Sequence, residues 1–239
     1  MSIFKYILPI LFLLNVLQCK SQVTLSEINF NKVTQKKVRE FLIGQQNNHI
    51  LSFTDIKPSL FSNSKIEGYR NHVKEYFFKE SLAKVWQHYL DTNPGDSWNG
   101  KKVSFGILFS KKDKKIVYRN ESVSHIDTGQ VVYLNLKLMK GITNLAAVFE
   151  FITIDKNKRI IEFSYIDGNI TEGKQRLQFI ETPRGYTRIL HTSFYKSSSS
   201  LRDRFLYPFF HDKVSNEFHR NMKKLYHKNH LTQAKNIET

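Results

Sequence analysis

The last long apolar pattern in the chain constrains its fold most. Between Leu201 and Tyr226, apolar residues recur every three to five positions, the spacing of one face of a helix. Upstream, from about Val103 to Tyr195, short apolar stretches alternate with turns rich in Lys, Asp, Asn and Gly, which predicts successive antiparallel strands. A curved sheet closed by one long helix encloses an apolar interior, and such interiors often hold ligands.

The other elements follow from the same kind of pattern. A strand is predicted at 70–78, followed by a helix at 81–90 with Ser81 as its N-cap. The clearest alternation is QVVYLNLKL at 130–138, which places Leu134 on one face and Tyr133 on the other. The remaining strands are predicted at 103–109, 116–119, 145–154, 159–165, 174–180 and 186–195.

The segment before the first strand, residues 23–69, is predicted to be an N-terminal extension. TQKKVREFLIGQ at 34–45 has an apolar face and predicts a short amphipathic helix, with Thr34 as a plausible N-cap. The extension has too little apolar surface to fold alone, so we expect it to pack on the main body. Residues 228–239 are predicted to be a polar tail.

Residues 1–22 have the pattern of an export signal. An apolar run at 7–17, too short to span a bilayer, is followed by small and polar residues. Two kinds of processing remain open. Signal peptidase could cleave before Gln22, or Val16 to Cys19 could act as a lipobox that leaves Cys19 acylated. Either predicts an exported protein, periplasmic or associated with the cell envelope, and the second predicts a lipoprotein.

Cysteine content and charge narrow the possible chemistry. Cys19 is the only cysteine, so the body of the chain has neither a disulfide nor a thiol nucleophile. The net charge of +16 is spread over many lysine-rich turns, and no single cluster dominates. Lysine contacts to an anionic polymer or lipid surface remain a possible use of this charge. An exported chain without a zinc-finger, RNA-binding or basic-zipper pattern is not expected to bind nucleic acid.

Four segments make residues 70–227 resemble the START-related superfamily, which includes the birch-pollen-allergen and polyketide-cyclase domains. These segments are YFFKESLAKVWQHY, FEFITIDKNKRIIEFSYIDG, KQRLQFIETPRGYTRILHTSFY and LRDRFLYPFF. In that family the first join often has small residues followed by Val-Trp, as at Ala83 to Trp86. The sequence departs from the pattern in its N-terminal extension, in a long stretch at 110–130, and at Pro208, which implies a kink or two helical segments.

The resemblance implies a helix-grip fold of the α+β class. In this fold a curved antiparallel sheet wraps around a long C-terminal helix, with an apolar cavity between them. Members of such families bind lipids, sterols, polyketides or plant hormones, and some catalyse cyclisation or hydrolysis. The fold alone does not distinguish a carrier from an enzyme.

Candidate pocket residues come from the apolar segments. Glu150 lies within the apolar run AAVFEFITI, where it either faces outward or serves as a cavity acid, and it is the first candidate for a polar group in the pocket. The aromatic candidates for the pocket lining are Phe105, Tyr133, Tyr165, Phe205 and Phe209.

Histidines supply the other candidates. His125 and Asp127 lie two residues apart in a predicted loop, where a third group could complete a base or a metal site, although a solvated loop is the simpler interpretation. His88, His191 and His211 are isolated in the sequence and would have to converge in space to act together. No nucleophile elbow, HExxH helix or phosphate-binding loop is present, so the sequence predicts no metal or cofactor and identifies no catalytic residue.

The sequence therefore predicts a START-like exported protein that binds or transports a hydrophobic or amphipathic small molecule, such as a lipid, in the cell envelope, with membrane association as a further expectation. The alternative is a cyclase- or hydrolase-type enzyme that uses a cavity carboxylate or histidine. That alternative requires Glu150, His125 or His191 to face a pocket beside a polar partner.

Overall fold

The computed structural model describes residues 23–237, with the side chains of all of these except Lys140 and residues 230–237. Within these residues, eight strands form one antiparallel sheet in the order β1-β8-β7-β6-β5-β4-β2-β3. The strands are β1 Arg70–Phe78, β2 Val103–Ser110, β3 Lys115–Tyr118, β4 Gln130–Leu138, β5 Thr143–Asp155, β6 Ile160–Tyr165, β7 Glu172–Glu181 and β8 Thr187–Lys196. The helices are α1 Lys36–Asn47, α2 Leu82–Asp91, α3 Pro94–Ser97 and α4 Tyr207–Ile237.

The long C-terminal helix packs against one face of this sheet. Phe218, Met222 and Tyr226 of α4 are buried in a core with inward side chains of β2 and of β4 to β8, and α2 and Trp98 complete this core. The order strand, helix, antiparallel strands and long C-terminal helix is the one expected from the sequence, and the helix-grip fold is confirmed.

The C-terminal helix has two segments, as Pro208 implied, and it extends further than predicted. Arg202–Leu206 forms a π-helical turn directly before α4, so the segment has two parts that meet next to Pro208. Proline lacks the N–H that a regular helix would require there, which explains the change of helix type. At the other end, α4 continues to Ile237, so the predicted polar tail is helical as far as the structure describes it.

The N-terminal extension covers the opposite face of the sheet. Val38 and Leu42 of α1, together with Leu25 and Phe53, form a second buried core with outward side chains of β2, β4 and β5, including Tyr133. Helix α1 begins at Lys36, one residue later than it would if Thr34 were its N-cap. Gln35 is the N-cap and makes no side-chain capping bond, so the expectation for Thr34 is wrong. Both faces of the middle of the sheet are therefore buried.

A glycine in β2 permits the close contact between the extension and the sheet. Gly106 lies at an irregularity in the pairing of β2 with β4, between Phe105 and Ile107. A Cβ atom at this position would lie 2.9 Å from a methyl group of Val38 and 2.9 Å from the Tyr133 carbonyl oxygen. The carbonyl belongs to the sheet and cannot move aside freely, so any side chain here must displace α1 or distort the pairing of the strands.

Replacing Gly106 by alanine is therefore expected to destabilise the protein by roughly 1–3 kcal/mol, the usual cost of overpacking a filled core. Urea denaturation followed by circular dichroism measures the change. Gly44→Ala is the matched control: Gly44 lies in α1, where a Cβ atom would have nothing within 4 Å, so this variant should gain up to about 1 kcal/mol of stability. Equal stability of the wild type and Gly106→Ala would show that the extension does not press on β2.

The described helices include none that is long and apolar enough to cross a membrane. The predicted export signal, with Cys19, lies outside the described residues, so its processing stays a prediction.

Candidate functional site

A cavity of about 340 Å³ lies between the inner face of the sheet and the start of α4. This volume is within the range of small-molecule sites in proteins. Most of its wall is apolar and comes from β4, β5 and α4, because the alternation of each strand directs every second side chain inward. The apolar lining side chains are Trp98, Leu134, Leu136, Leu138, Met139, Leu145, Ala146, Ala147, Phe149, Phe163, Ile170, Leu206, Phe210 and Val214.

The mouth of the cavity is marked by lining residues that are also exposed to solvent. Met139, Ile170 and Leu206 each expose half or more of their surface. Arg202 holds one side of this opening, because its guanidinium donates to the Ile170 carbonyl oxygen at 2.8 Å and to the Thr171 hydroxyl at 2.6 Å. A molecule could therefore enter between the end of β4, the turn before β7 and the start of α4.

Polar side chains form one part of the cavity lining. The Gln175 amide nitrogen donates to the Tyr165 hydroxyl at 2.8 Å, and the Tyr165 and Tyr207 hydroxyls lie 2.9 Å apart. The Tyr207 hydroxyl also lies 2.6 Å from Ser193 Oγ. The cavity therefore combines long apolar walls with a compact group of hydrogen-bonding side chains.

A chain of buried hydrogen bonds continues from this polar part of the lining into the core. Gln175 Oε1 accepts from His191 Nε2 at 2.6 Å, and His191 Nδ1 lies 3.0 Å from His219 Nε2. His219 Nδ1 in turn lies 2.7 Å from the Tyr89 hydroxyl. Because a carbonyl oxygen can only accept, the hydrogen of His191 lies on Nε2. The neutral His191 ring then accepts from His219, which accepts from Tyr89, and the chain is satisfied with both rings uncharged.

A second histidine reaches the same acceptor from α4. His211 Nε2 lies 3.0 Å from Gln175 Oε1, so its hydrogen also lies on Nε2. The other ring nitrogen, Nδ1, is buried and has no hydrogen-bond partner among the described residues. His211 therefore offers a free lone pair at the edge of the cavity.

Burial keeps these three histidines uncharged. The pKa of His211 is lowered to about 3, mainly by loss of solvation and to a smaller extent by the neighbouring His72. Loss of solvation also lowers the pKa of His191 and of His219 well below the usual range for histidine, with a smaller contribution from His211. At neutral pH all three rings can therefore accept a proton only at a high cost in free energy.

His72 and Asp212 lie beside His211 between β1 and α4. His72 Nε2 lies 2.6 Å from Asp212 Oδ1, and the Lys74 ammonium donates to Asp212 Oδ2 at 3.0 Å. One ligand atom from each of His72, His211 and Asp212 lies within 4.8 Å of the others. His72 and Asp212 are partly exposed, so solvent reaches this cluster from outside the cavity.

Glu150 does not lie in the cavity. It lies on the outer face of β5, where its Oε2 accepts from the Lys111 ammonium at 2.7 Å, while Lys111 also donates to the Ile56 carbonyl oxygen. Burial raises the pKa of Glu150, and the ion pair with Lys111 opposes this rise. Glu150 is buried because the extension covers this face. The expectation that it serves as a cavity acid is therefore wrong.

Tyr165 is the one aromatic candidate that the structure places in the lining of the described cavity. Phe105 is buried but packs in the filled part of the inner core. Tyr133 lies on the opposite face, where its hydroxyl donates to Gln45 Oε1 at 3.0 Å. Phe205 and Phe209 are more than half exposed and lie outside the lining.

The loop residues His125 and Asp127, and His88 of α2, lie outside the cavity lining. The Asp127 carboxylate accepts from the Lys112 ammonium at 2.7 Å, and the exposed His125 contacts the neighbouring Ser124, as expected of a solvated loop. His88 Nε2 lies 2.7 Å from the Met222 carbonyl oxygen, which joins α2 to α4. His191 and His211 do converge, at Gln175. Gln175 and Tyr207 are not predicted from the sequence, because a single polar residue on a strand or helix does not indicate a binding site.

No protein-family model matches the chain, and a search of curated proteins finds no match. Among solved structures, a major latex-like protein from Panax ginseng is 13% identical, with 66% of this chain and 97% of that chain covered at a TM-score of 0.49. A norcoclaurine synthase from Thalictrum, solved with a transition-state analogue, is 12% identical, with 68% and 98% covered at a TM-score of 0.48. A protein from Mycobacterium smegmatis is 14% identical, with 65% and 89% covered at a TM-score of 0.45. At these identities and TM-scores, no property of these proteins is carried over to this chain.

Proposed function

We propose that this helix-grip protein binds a hydrophobic or amphipathic small molecule, such as a lipid, in the cavity between its sheet and α4. The observation that carries the proposal is a cavity of about 340 Å³ whose walls are largely apolar and whose lining includes hydrogen-bonding side chains. Burial of apolar surface would supply most of the binding free energy. The group around Gln175, Tyr165 and Tyr207 would orient the polar end of the molecule.

The surface around the mouth supports a lipid ligand in particular. Leu201, Phe205 and Phe209 are exposed next to the opening, and the cations of Arg204 and Lys213 lie over the rings of Phe205 and Phe209. Exposed apolar side chains beside cations suit contact with an anionic membrane surface. Salt-sensitive cosedimentation with anionic vesicles, absent with neutral ones, would support this contact and the proposed place in the envelope.

Filling the cavity is expected to abolish ligand binding. Ala147 lies in the cavity wall on β5, opposite Leu134 of β4. In Ala147→Phe the new ring would occupy the space of the ligand, and we expect occupancy to fall at least about tenfold, equivalent to a loss of roughly 1.4 kcal/mol. Native mass spectrometry of the protein purified from its own envelope, before and after solvent extraction, measures the bound mass.

Val73→Phe is the matched control, because it enlarges an exposed side chain on β1 away from the lining. It should keep the extractable mass of the wild type. A wild-type protein that carries no extractable mass and takes up no added lipid would contradict the proposal. Equal occupancy in Ala147→Phe and the wild type would show that the ligand binds elsewhere.

Histidine-based enzyme activity is a second candidate, and one observation favours it. His191 lines the cavity beside Gln175, and His211 Nδ1 has a free lone pair that could accept a hydrogen bond from a bound substrate and so orient it. A carboxylate mechanism has no support, since the described lining includes neither Asp nor Glu. Conversion of the extracted compound by the wild type but not by His211→Gln would favour the enzyme, whereas recovery of the compound unchanged would favour the carrier.

A further inference from the structure

The cluster of His72, His211 and Asp212 lies at the boundary between the cavity and the surface. β1 is an edge strand of the sheet, and its inward side chains meet the first turns of α4. There the three residues bring one ligand atom each within 4.8 Å of the others. Two of them contact solvent, and His211 also lines the cavity.

His211 contributes the observation that points to a ligand. The side chain is more than nine-tenths buried, and its Nε2 hydrogen is used by Gln175. Gln175 presents its carbonyl oxygen to His211, because its amide nitrogen is turned toward the Tyr165 hydroxyl. The lone pair of Nδ1 is therefore left without a hydrogen-bond partner among the described side chains. A buried polar atom without a partner is costly, and binding a ligand would remove that cost.

We propose that His72, His211 and Asp212 form a binding site for a divalent transition-metal ion of the zinc class. Two imidazoles and one carboxylate are a donor set that such ions take in proteins, and three protein ligands leave a fourth position for water or another molecule. His211 would bind through Nδ1. His72 would bind through the nitrogen that now faces Asp212, after its hydrogen is released or moved to Nδ1.

The ion would replace an existing network of charges. Without it, Asp212 is hydrogen-bonded to the His72 ring and paired with the ammonium of Lys74. Ligand atoms of a tetrahedral zinc site lie roughly 3.3 Å apart, given metal–ligand bonds of about 2.0–2.1 Å, so the more distant atoms of the cluster must approach. The first turns of α4, which carry His211 and Asp212, directly follow a π-helical turn. Lys74 opposes binding, because its charge repels the ion and occupies one oxygen of Asp212.

Replacing Lys74 therefore distinguishes between a metal site and an ion pair that only stabilises the structure. If the cluster binds metal, Lys74→Met removes the competing cation and should raise the affinity. If Asp212 serves only to pair with His72 and Lys74, the same change weakens the network and produces no metal affinity. Methionine preserves most of the apolar stem of lysine, so the packing of β1 against α4 changes little.

The test is a titration of the metal-free full chain with Zn²⁺ alone by calorimetry, and with Co²⁺ alone by visible absorption. We expect one ion per chain, a Co²⁺ spectrum of low coordination number, and a loss of affinity of at least about tenfold in His72→Ala and in Asp212→Asn. Lys74→Met should bind more tightly than the wild type. His125→Ala, which alters an exposed loop histidine, should bind as the wild type does.

Two results would overturn the proposal: the absence of saturable binding, or binding that His72→Ala leaves unchanged. The second result would assign the ion to other histidines. If Asp212→Asn fails to fold by circular dichroism, His72→Ala and Lys74→Met still decide, because both residues lie on the partly exposed edge strand. The outcome is independent of the cavity, since Ala147→Phe should lose its ligand and keep its metal.

Discussion

Acidification from pH 7 to pH 5 is expected to destabilise the protein steeply, because three buried histidines would have to become charged. His191, His211 and His219 are neutral in the folded state, and burial holds the pKa of each far below the usual value of 6.5. In the unfolded chain the same rings take up protons near that usual value. The unfolded state therefore binds more protons than the folded state below about pH 6.5, and stability falls with pH.

The size of the effect follows from the number of histidines. The stability that these rings contribute is fully present above the unfolded pKa and is lost as the pH falls below it. Each ring contributes a slope of about 1.4 kcal/mol per pH unit, so three rings approach ~4 kcal/mol per unit. Glu150 acts in the opposite direction, because its raised pKa makes the folded state take up a proton first. The pKa of Asp212 is lowered from 3.8, so this carboxyl titrates below the window.

Urea denaturation at half-unit steps between pH 7 and pH 5 measures this slope. His219→Gln should reduce it by about one third, since one of the three rings no longer titrates. His125→Gln is the matched control, because His125 is exposed in a loop and its replacement leaves the three buried rings in place. A free energy of unfolding that stays constant across this range would show that the three rings are already charged or solvated in the folded protein.

Replacement of Glu217 by alanine is expected to cost roughly 3–5 kcal/mol of stability, the loss of several hydrogen bonds to one charged group. Glu217 is buried on α4, and its carboxylate accepts from the backbone N–H groups of Lys101, Lys102 and Val103 at 2.7–3.1 Å. These bonds fix the start of β2 to the helix. Alanine would leave the three donors without this acceptor. Urea denaturation measures the loss, and Glu67→Ala, at an exposed loop position, should change stability little.

Gly100 provides an internal check on this contact. A Cβ atom at Gly100 would lie within 2.5 Å of a Glu217 carboxylate oxygen, so Gly100→Ala should displace the carboxylate and destabilise the protein. In the Glu217→Ala background the obstacle is gone, and the same change should cost much less. A double-mutant cycle should therefore give a coupling of about 0.5–3 kcal/mol. Additive effects would show that the carboxylate does not depend on the space that Gly100 leaves.

The alternation of apolar residues along the strands predicts which side chains share a face of the sheet. The alternation in QVVYLNLKL already placed Leu134 and Tyr133 on opposite faces, and the structure has Leu134 in the cavity wall and Tyr133 under α1. Tyr133 was nevertheless a pocket candidate, because an apolar residue on a strand does not reveal which buried face it occupies. Here the extension buries the outer face as well, which also explains Glu150.

The polar site was not predictable, because its contacts join residues far apart in the chain. His191 and His219 are 28 residues apart, and His72 and Asp212 are 140 apart. Each of these residues has ordinary neighbours in the sequence. Only the pairing of β1 with β8 and the packing of α4 across both strands bring them together, and no local spacing carries that information.

The covering of the outer face by the extension has a consequence for how the chain can be divided. A fragment beginning at Arg70 would contain every strand and α4, but it would expose Ile107, Phe109 and Tyr133 to water. Such a patch promotes association between copies. The extension is thus part of the cooperative unit, and we expect the amide hydrogens of β4 to exchange only when α1 detaches. The boundary between extension and domain separates segments of sequence, whereas we expect the two to unfold together.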